Sequence, residues 1–272
     1  MTSDARNSAQ QFLLRTTGLA KAIALRTDLA QLVIPTTYAG SEMTPILGET
    51  ADGVKRTQAT RQVLPETVIY DVQLTLGLPV ALSVSSGLNA IAHAAEALCA
   101  KDNNPIVSLM AKEGIRALFE ALPRIVESPT NIEARSDALY GAWLCGVCLG
   151  SVGMALHHKL CHTLGGMFNL PHAETHAVVL PHALAYNAPA IPAAIQRLAQ
   201  AVHSDTPVLS LHLLGEKLGI NGGPRALGIP KEGIDHTADL AAKNPYWNPR
   251  PIEREGIREL TARAWAGDDP QT

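Results

Sequence analysis

Helical periodicity runs through almost all of the chain from Pro79 onward, and this feature limits the fold more than any other. Short breaks built from Asn, Gly, Ser and Pro separate the periodic segments. The alanine-rich stretch from Val80 to Ala100 contains few interruptions and reads as one long helix. We therefore predict a helical domain over residues 79–272.

The first 78 residues alternate between helical and extended patterns. A helix is predicted over Gly18–Arg26, strands over Gln31–Pro35 and Thr67–Tyr70, and a hairpin turn around Ala51–Gly53. Two or three strands are too few for a complete doubly wound sheet, so we expect a partial α/β domain over residues 1–78. An unpaired strand edge would make this part poorly soluble by itself.

Composition excludes several classes of protein. The chain has 272 residues, 46% of them hydrophobic, which is enough for a sizeable core. A net charge of −3 with 17% charged residues gives no basic stripe, so we expect no nucleic-acid partner. Charged or Pro residues interrupt the apolar runs, so we expect no membrane association and a cytoplasmic location. The four cysteines fall within helical sequence and are predicted to be reduced core thiols.

One short segment brings several histidines together. His158 and His162 are four residues apart, so they share a helix face. We expect Gly165–Gly166 to form a flexible turn, after which Pro171 starts a segment that carries His172 back toward the other two. Three convergent imidazoles indicate a metal site, a proton relay or an anion pocket.

The predicted helix over residues 80–100 repeats the same spacing. Asn89 and His93 are four residues apart and point to the same side of that helix. The sequence therefore predicts a site with two helical walls, one from this helix and one from the segment around His158.

Five motifs stand in the order in which they occur in the iron-containing alcohol dehydrogenase superfamily, which the chain resembles from Thr16 onward. They begin at Thr16, Ile34, Gly87, His158 and Leu180. Pro35-Thr-Thr-Tyr-Ala-Gly-Ser-Glu42, His157-His-Lys159 and Asn244-Pro-Tyr-Trp-Asn-Pro-Arg-Pro251 resemble the maleylacetate reductase branch in particular.

This resemblance implies a dehydroquinate synthase-like, iron-type alcohol dehydrogenase architecture, in which an α/β nucleotide-binding domain precedes a helical domain. The family's glycine-rich phosphate loop would precede Thr16, where this chain has Leu14 and Arg15. We therefore expect an N-terminally truncated version, an α/β remnant followed by the helical domain.

The resemblance also implies where the cofactor, NAD(H) or NADP(H), would lie. Thr36, Thr37 and Ser41 correspond to the family's loop beside the nicotinamide and phosphates, and hydroxyl groups are suitable donors there. Lys55 and Leu74 are expected to line the same cleft.

The family's four metal positions correspond to Asn89, His93, His158 and His172. The first is Asp in members that bind iron or zinc, and the neutral Asn amide is a weaker ligand, so no metal is expected. Without a balancing carboxylate, the histidines should form a neutral-to-cationic cavity for a small dicarboxylate. We assign enolate or carboxylate contact to His93 and His158, with His172 beside them and His162 as a polar contact or proton relay.

The function implied is the reduction of maleylacetate to 3-oxoadipate with NAD(P)H, in the degradation of aromatic compounds. A homodimer is expected for the folded chain. Two alternatives stay open: a metal-dependent alcohol dehydrogenase of the same superfamily, and an inactive truncated homologue that does not bind the cofactor.

Overall fold

A small α/β section precedes a larger helical section in the computed structural model, which describes residues 16–51, 54–168, 170–220, 223–243 and 245–271. Helix α1 spans residues 16–27. Strand β1 (Leu32–Val33) pairs in parallel with β4 (Thr67–Val68), placing Leu32 opposite Thr67. Strands β2 (Ile46–Ala51) and β3 (Val54–Ala59) form an antiparallel hairpin with Ile46 opposite Ala59. The predicted helix is confirmed, and the two predicted strands are present but are two residues long each. The strand pairing confirms the predicted hairpin, and its turn at residues 52–53 lies outside the described residues.

The helical section follows at Val80. Its helices are α2 (Val80–Ala97), α3 (Pro105–Glu127), α4 (Ile132–Ser151), α5 (Leu156–Phe168), α6 (His172–Asn187), α7 (Pro192–Val202), α8 (Pro207–Lys217), α9 (Gly223–Ala226), α10 (Gly233–Lys243) and α11 (Arg254–Ala266). Within the described ranges, no single helix is long and apolar enough to cross a membrane; α4 and α5 meet those criteria only as a pair, and they meet at a bend of 93°.

Helix α2 lies at the centre of the main core. It is buried from Ser83 to Ala97 and packs against α3, α4 and α6. Alanines at 90, 92, 94 and 97 are fully buried, which lets the neighbouring helices approach closely. A second apolar cluster lies between α5, α6, α10 and α11. Polar side chains on α2 are therefore held in a buried, closely packed interior.

The α/β section docks onto α4 through glycines. Gly40 has a left-handed φ of 75°, and a Cβ added to Gly146 of α4 would lie 2.9 Å from the Gly40 Cα. The fully buried Arg135 of α4 adds polar contacts to this section, donating to the Tyr38 hydroxyl at 3.3 Å and to the Leu78 carbonyl at 2.9 Å. The loop that carries the predicted cofactor residues is thus fixed against the helical section.

One local prediction is wrong. Gly165 and Gly166 lie inside α5, which continues to Phe168, and do not form a turn. Glycine is tolerated there because the rest of α5 is anchored by buried residues such as Leu160 and Leu164. Pro171 stands at the N-cap of α6, which begins at His172.

Candidate active site

Helix α2 contributes three buried polar side chains to the site. Asn89, His93 and Glu96 are spaced by four and three residues, so they lie along one face of the helix, and each is at most 4% exposed. Such side chains are costly to bury without partners, so their partners define the site.

Helices α5 and α6 supply the opposite wall. His157, His158 and His162 lie on α5, and His172 and His176 lie one turn apart on α6. Together with His93 they form a continuous group of six rings, called here the imidazole cluster. Neighbouring ring centroids in the cluster are 4.2–6.5 Å apart. The predicted convergence of His93, His158, His162 and His172 is present.

A chain of hydrogen bonds crosses the interior from Asn89 to Glu96. Asn89 Nδ2 lies 3.1 Å from His93 Nε2, His93 Nδ1 lies 3.0 Å from His158 Nε2, and His158 Nδ1 lies 2.7 Å from Glu96 Oε2. An ionised carboxylate only accepts, so the bonds run in one direction, with the amide donating to His93, His93 to His158, and His158 to Glu96. We call these four residues the relay chain.

Glu96 also organises the start of α5. Its carboxylate accepts backbone N–H groups of Ala155 at 3.0 Å and His157 at 2.6 Å. A negative charge beside a helix N-terminus is favourable, because it pairs with N–H groups that lack partners within the helix. Glu96 therefore sets both the position of α5 and the orientation of His158.

The electrostatics correct one expectation. Burial raises the pKa of Glu96, an effect opposed by His157 and by backbone N–H donors. Burial and neighbouring imidazoles lower the pKa values of His93 and His158 well below the usual value. The predicted lack of a balancing carboxylate is wrong, since Glu96 supplies one, and the inner rings are neutral at neutral pH.

The outer edge of the cluster reaches solvent. His162 and His172 are exposed and nearly parallel, with ring centroids 6.5 Å apart and an interplanar angle of 16°. The Tyr246 hydroxyl lies 3.3 Å from His162 Nδ1, and the Lys159 ammonium lies 5.4 Å from the centre of the Tyr246 ring. This edge therefore offers an imidazole pair, a phenol and a cation to an incoming molecule.

Three of the five predicted cofactor residues line one cavity. Thr36, Thr37 and Ser41 line one cavity of about 260 Å³, together with Thr16 and Thr17 at the start of α1. Leu74 does not line this cavity; it is 49% exposed on a 3-10 turn. The side chain of Lys55, and residues Leu14 and Arg15, lie outside the described part of the chain.

Lys21 holds the cavity loop in place. Its ammonium is buried and donates to the carbonyl oxygens of Ser41 at 2.6 Å, Thr44 at 2.7 Å and Ile46 at 3.0 Å. Burial lowers the pKa of Lys21 to about 8, and the charge of Glu42 opposes that change.

The cavity adjoins the imidazole cluster at Ala39. Ala39 belongs to the cavity wall. A hydrogen bond between its backbone and His93 raises the pKa of His93 and so opposes the effect of burial. A molecule in the cavity would therefore lie beside the inner end of the cluster.

The site residues missed by the sequence analysis include Glu96, His176 and Tyr246. Glu96 could have been found, because it lies three residues after His93 on the same helix face, and His176 because it lies four residues after His172. Tyr246 has no local signal, since only the fold carries the segment after α10 back over α5.

The residues at the family's metal positions bond to one another. His93 Nε2 accepts from Asn89 and His158 Nε2 accepts from His93, so an ion would have to displace both hydrogen bonds. This arrangement does not fit an ion at Asn89, His93, His158 and His172 as they are placed. Elsewhere in the described residues, donor atoms of Glu96, His157 and His158, and of His157, Cys161 and His176, lie within 4.8 Å of one another.

Comparison with known proteins places the fold and the site in one class. Residues 83–265, which include the whole imidazole cluster, match the C-terminal domain of the Fe-containing alcohol dehydrogenase family. A crystal structure of maleylacetate reductase from Agrobacterium tumefaciens is 60% identical, with a TM-score of 0.91 over 94% of this chain and 73% of that one. The predicted architecture is confirmed.

Curated relatives point to one branch of that class. The maleylacetate reductase of Burkholderia cepacia is 60% identical over 94% of this chain and 72% of its own length, and that of Rhizobium sp. MTP-10005 is 58% identical over 94% and 73%. The chain belongs to the Fe-containing alcohol dehydrogenase family, with the maleylacetate reductases, as the motifs predicted. This is a family of NAD(P)-dependent oxidoreductases.

Proposed function

We propose that this protein reduces maleylacetate to 3-oxoadipate with NADH or NADPH, within the degradation of aromatic compounds. The observation that carries the proposal is the relay chain, in which Asn89 replaces a ligand carboxylate and donates to His93 beside the threonine-lined cavity. The names of the close relatives support the same substrate.

The reaction adds one hydride and one proton across a carbon–carbon double bond. A bound NADH or NADPH would supply the hydride, which with its electron pair would add to the alkene carbon farther from the ketone, so that the π electrons would move onto the ketone oxygen as an enolate. Protonation of the carbon next to the ketone completes 3-oxoadipate and leaves NAD(P)⁺. The protein has to bind two carboxylates, stabilise the enolate and deliver one proton.

We assign substrate contact to the exposed edge of the cluster. His162, His172 and the Tyr246 hydroxyl supply hydrogen-bond donors at the rim, and Lys159 supplies a nearby positive charge for a carboxylate. Because the nitrogens of His93 and His158 are engaged in the relay chain, we assign these two rings no direct hydrogen bond to the substrate.

The relay chain is suited to moving a proton. Each ring accepts at one nitrogen and donates from the other, so reversal of every bond carries one proton along the chain while the rings keep their positions. The Asn89 amide then turns over to present its oxygen to His93. Asn89 permits either direction because its amide offers both a donor and an acceptor, whereas an ionised Asp only accepts. Its Oδ1 finds no partner among the described residues.

The hydroxyls of Thr36, Thr37 and Ser41 are assigned to the nicotinamide half of the dinucleotide. The cavity they line, about 260 Å³, is large enough for one part of a dinucleotide. We also propose that Lys55 lines the cofactor cleft.

No metal is required by this proposal. The enolate charge is met by hydrogen-bond donors, and the relay chain engages both ring nitrogens of His93 and of His158. Stoichiometric iron or zinc that disappears together with activity in His172→Ala would overturn this part and favour the metal-dependent alcohol dehydrogenase.

We further propose a cytoplasmic homodimer. Four free thiols suit a reducing compartment, and Leu19, Leu29 and Leu32, each at least 60% exposed, leave an apolar surface on the α/β section for a second copy. Light scattering after size exclusion tests the assembly, and a stable monomer would contradict it.

The central test uses the purified full chain. Fluorescence titration should show saturable NADH or NADPH binding, and maleylacetate should then cause stoichiometric oxidation of the nucleotide, with 3-oxoadipate as the product. Absence of nucleotide binding would support the inactive homologue. Binding with oxidation of simple alcohols, and no turnover of maleylacetate, would support the alcohol dehydrogenase instead.

A further inference from the structure

We propose that His157, Cys161 and His176 form a binding site for one thiophilic cation of the zinc class. Donor atoms of the three side chains lie within 4.8 Å of one another, and each side chain is at most 2% exposed. None of them occupies a family metal position, so this would be a separate site on the inner side of the imidazole cluster.

The helices present these ligands together. His157 and Cys161 are four residues apart on one face of α5, and His176 projects toward them from the neighbouring α6. Cys161 Sγ lies 3.4 Å from His157 Nε2, the nitrogen that donates to the His176 carbonyl, so the ligand nitrogen of His157 would be Nδ1. Donors on one tetrahedral zinc ion are about 3.3–3.8 Å apart, given bonds of about 2.0–2.3 Å, so donors up to 4.8 Å apart would have to approach by at most about 1 Å.

The buried ring nitrogens point to a missing ligand. His157 Nε2 donates to the His176 carbonyl at 3.0 Å, which leaves the lone pair on Nδ1, and Nδ1 finds no partner within the described ranges. Both nitrogens of the fully buried His176 are equally without partners there. Metal-binding histidines commonly donate their second N–H to a backbone carbonyl, as His157 does.

The chemistry of the donor set selects a soft cation. Thiolate and imidazole together suit Zn²⁺ or Co²⁺ and disfavour Mg²⁺ or Ca²⁺, which require oxygen ligands. Binding releases the Cys161 proton, and the thiolate then offsets one of the two positive charges of the ion. The exposed His172 lies next to the site, with its ring centroid 4.2 Å from that of His176.

Cobalt titration of the chelator-treated full chain tests the site without any measurement of activity. We expect one equivalent of Co²⁺ to bind, to give a thiolate-to-metal charge-transfer band in the near ultraviolet, and to be displaced by Zn²⁺. Zn²⁺ should also raise the melting temperature, because it joins α5 to α6.

Matched variants locate the ion. Cys161→Ser should abolish the band, and His176→Gln should weaken binding at least about 10-fold, the usual scale for loss of a site component. Cys148→Ser, a buried thiol on α4, and His172→Ala, at a family metal position, should keep the band. Circular dichroism verifies folding, and Cys161→Ala replaces any serine variant that misfolds.

The proposal is overturned if the wild-type protein shows no band, if the band survives in Cys161→Ser, or if Co²⁺ binds without a thiolate band and is lost in His172→Ala. The last result would place the ion at the family positions.

Discussion

Glu96 Oε2 accepts a hydrogen bond from His158 Nδ1 at 2.7 Å, and this contact joins the start of α5 to the centre of α2. Since the carboxylate only accepts, the contact fixes the proton on Nδ1 and leaves Nε2 of His158 facing His93. The direction of the whole relay chain therefore depends on one carboxylate that is 2% exposed.

The first prediction concerns Glu96→Gln. The amide can present N–H toward His158 and reverse the tautomer, so we expect kcat for maleylacetate to fall by about 10²-fold, the lower end of general acid–base contributions. The KM should change little, because Glu96 lies behind the rim. Steady-state kinetics on protein of verified folded fraction measures the effect.

Glu113→Gln serves as the matched control, since Glu113 pairs with Arg116 at the surface of α3 and touches no cluster residue in the described structure. A Glu96→Gln protein that melts at a lower temperature but keeps its kcat would assign Glu96 to helix anchoring alone.

The second prediction concerns Asn89→Asp. The new carboxylate adds a strong oxygen ligand at a family metal position and cannot donate to His93 Nε2 when ionised. We expect zinc or iron retained after dialysis to rise from substoichiometric to about one equivalent at this site, with a loss of maleylacetate reduction. Metal analysis is run in the Cys161→Ser background, so that the two candidate sites are not confused. Unchanged metal content and unchanged turnover would remove the role given to Asn89.

The helices and most of the site could be predicted because helical spacing reports which residues share a face. His158 and His162, and Asn89 and His93, were found in this way, and Pro171 correctly marked the start of α6. Spacing does not report how helices cross, so it did not show that Glu96 would meet the backbone of Ala155 and His157. The same limit explains the wrong turn at Gly165–Gly166, where packing of α5 overrides a local signal.

Two glycines give a paired prediction for stability. A Cβ on Gly146 would lie 2.9 Å from backbone atoms of Gly40, so Gly146→Ala must push the cofactor loop away and should destabilise the fold by roughly 1–3 kcal/mol. A Cβ on Gly165 meets nothing within 4 Å, so Gly165→Ala should stabilise α5 by roughly 0.5–1 kcal/mol. Urea denaturation measures both, and equal effects of the two substitutions would contradict the docking described here.

The last prediction concerns the stability of the fold at acidic pH. Burial, followed by His212, lowers the pKa of His182 to about 4, and burial lowers that of His157 to about 3. In the unfolded chain these imidazoles bind protons near pH 6.5, whereas in the folded chain they stay neutral until the pH approaches their lowered pKa values. The free energy of unfolding therefore decreases as the pH drops from about 6.5 toward those values. The lowered pKa values of His93, His158 and His176 act in the same direction.

Glu42 and Glu96 oppose this trend, since burial raises the pKa of each and the folded state then binds the extra proton. Five imidazoles outweigh two carboxyls, so we expect the free energy of unfolding to decrease between about pH 7.5 and about pH 5, by about 2 kcal/mol for each imidazole that stays neutral. Urea denaturation at the two pH values measures the slope. His182→Gln should reduce that slope, and a stability that rises on acidification would contradict the neutral cluster.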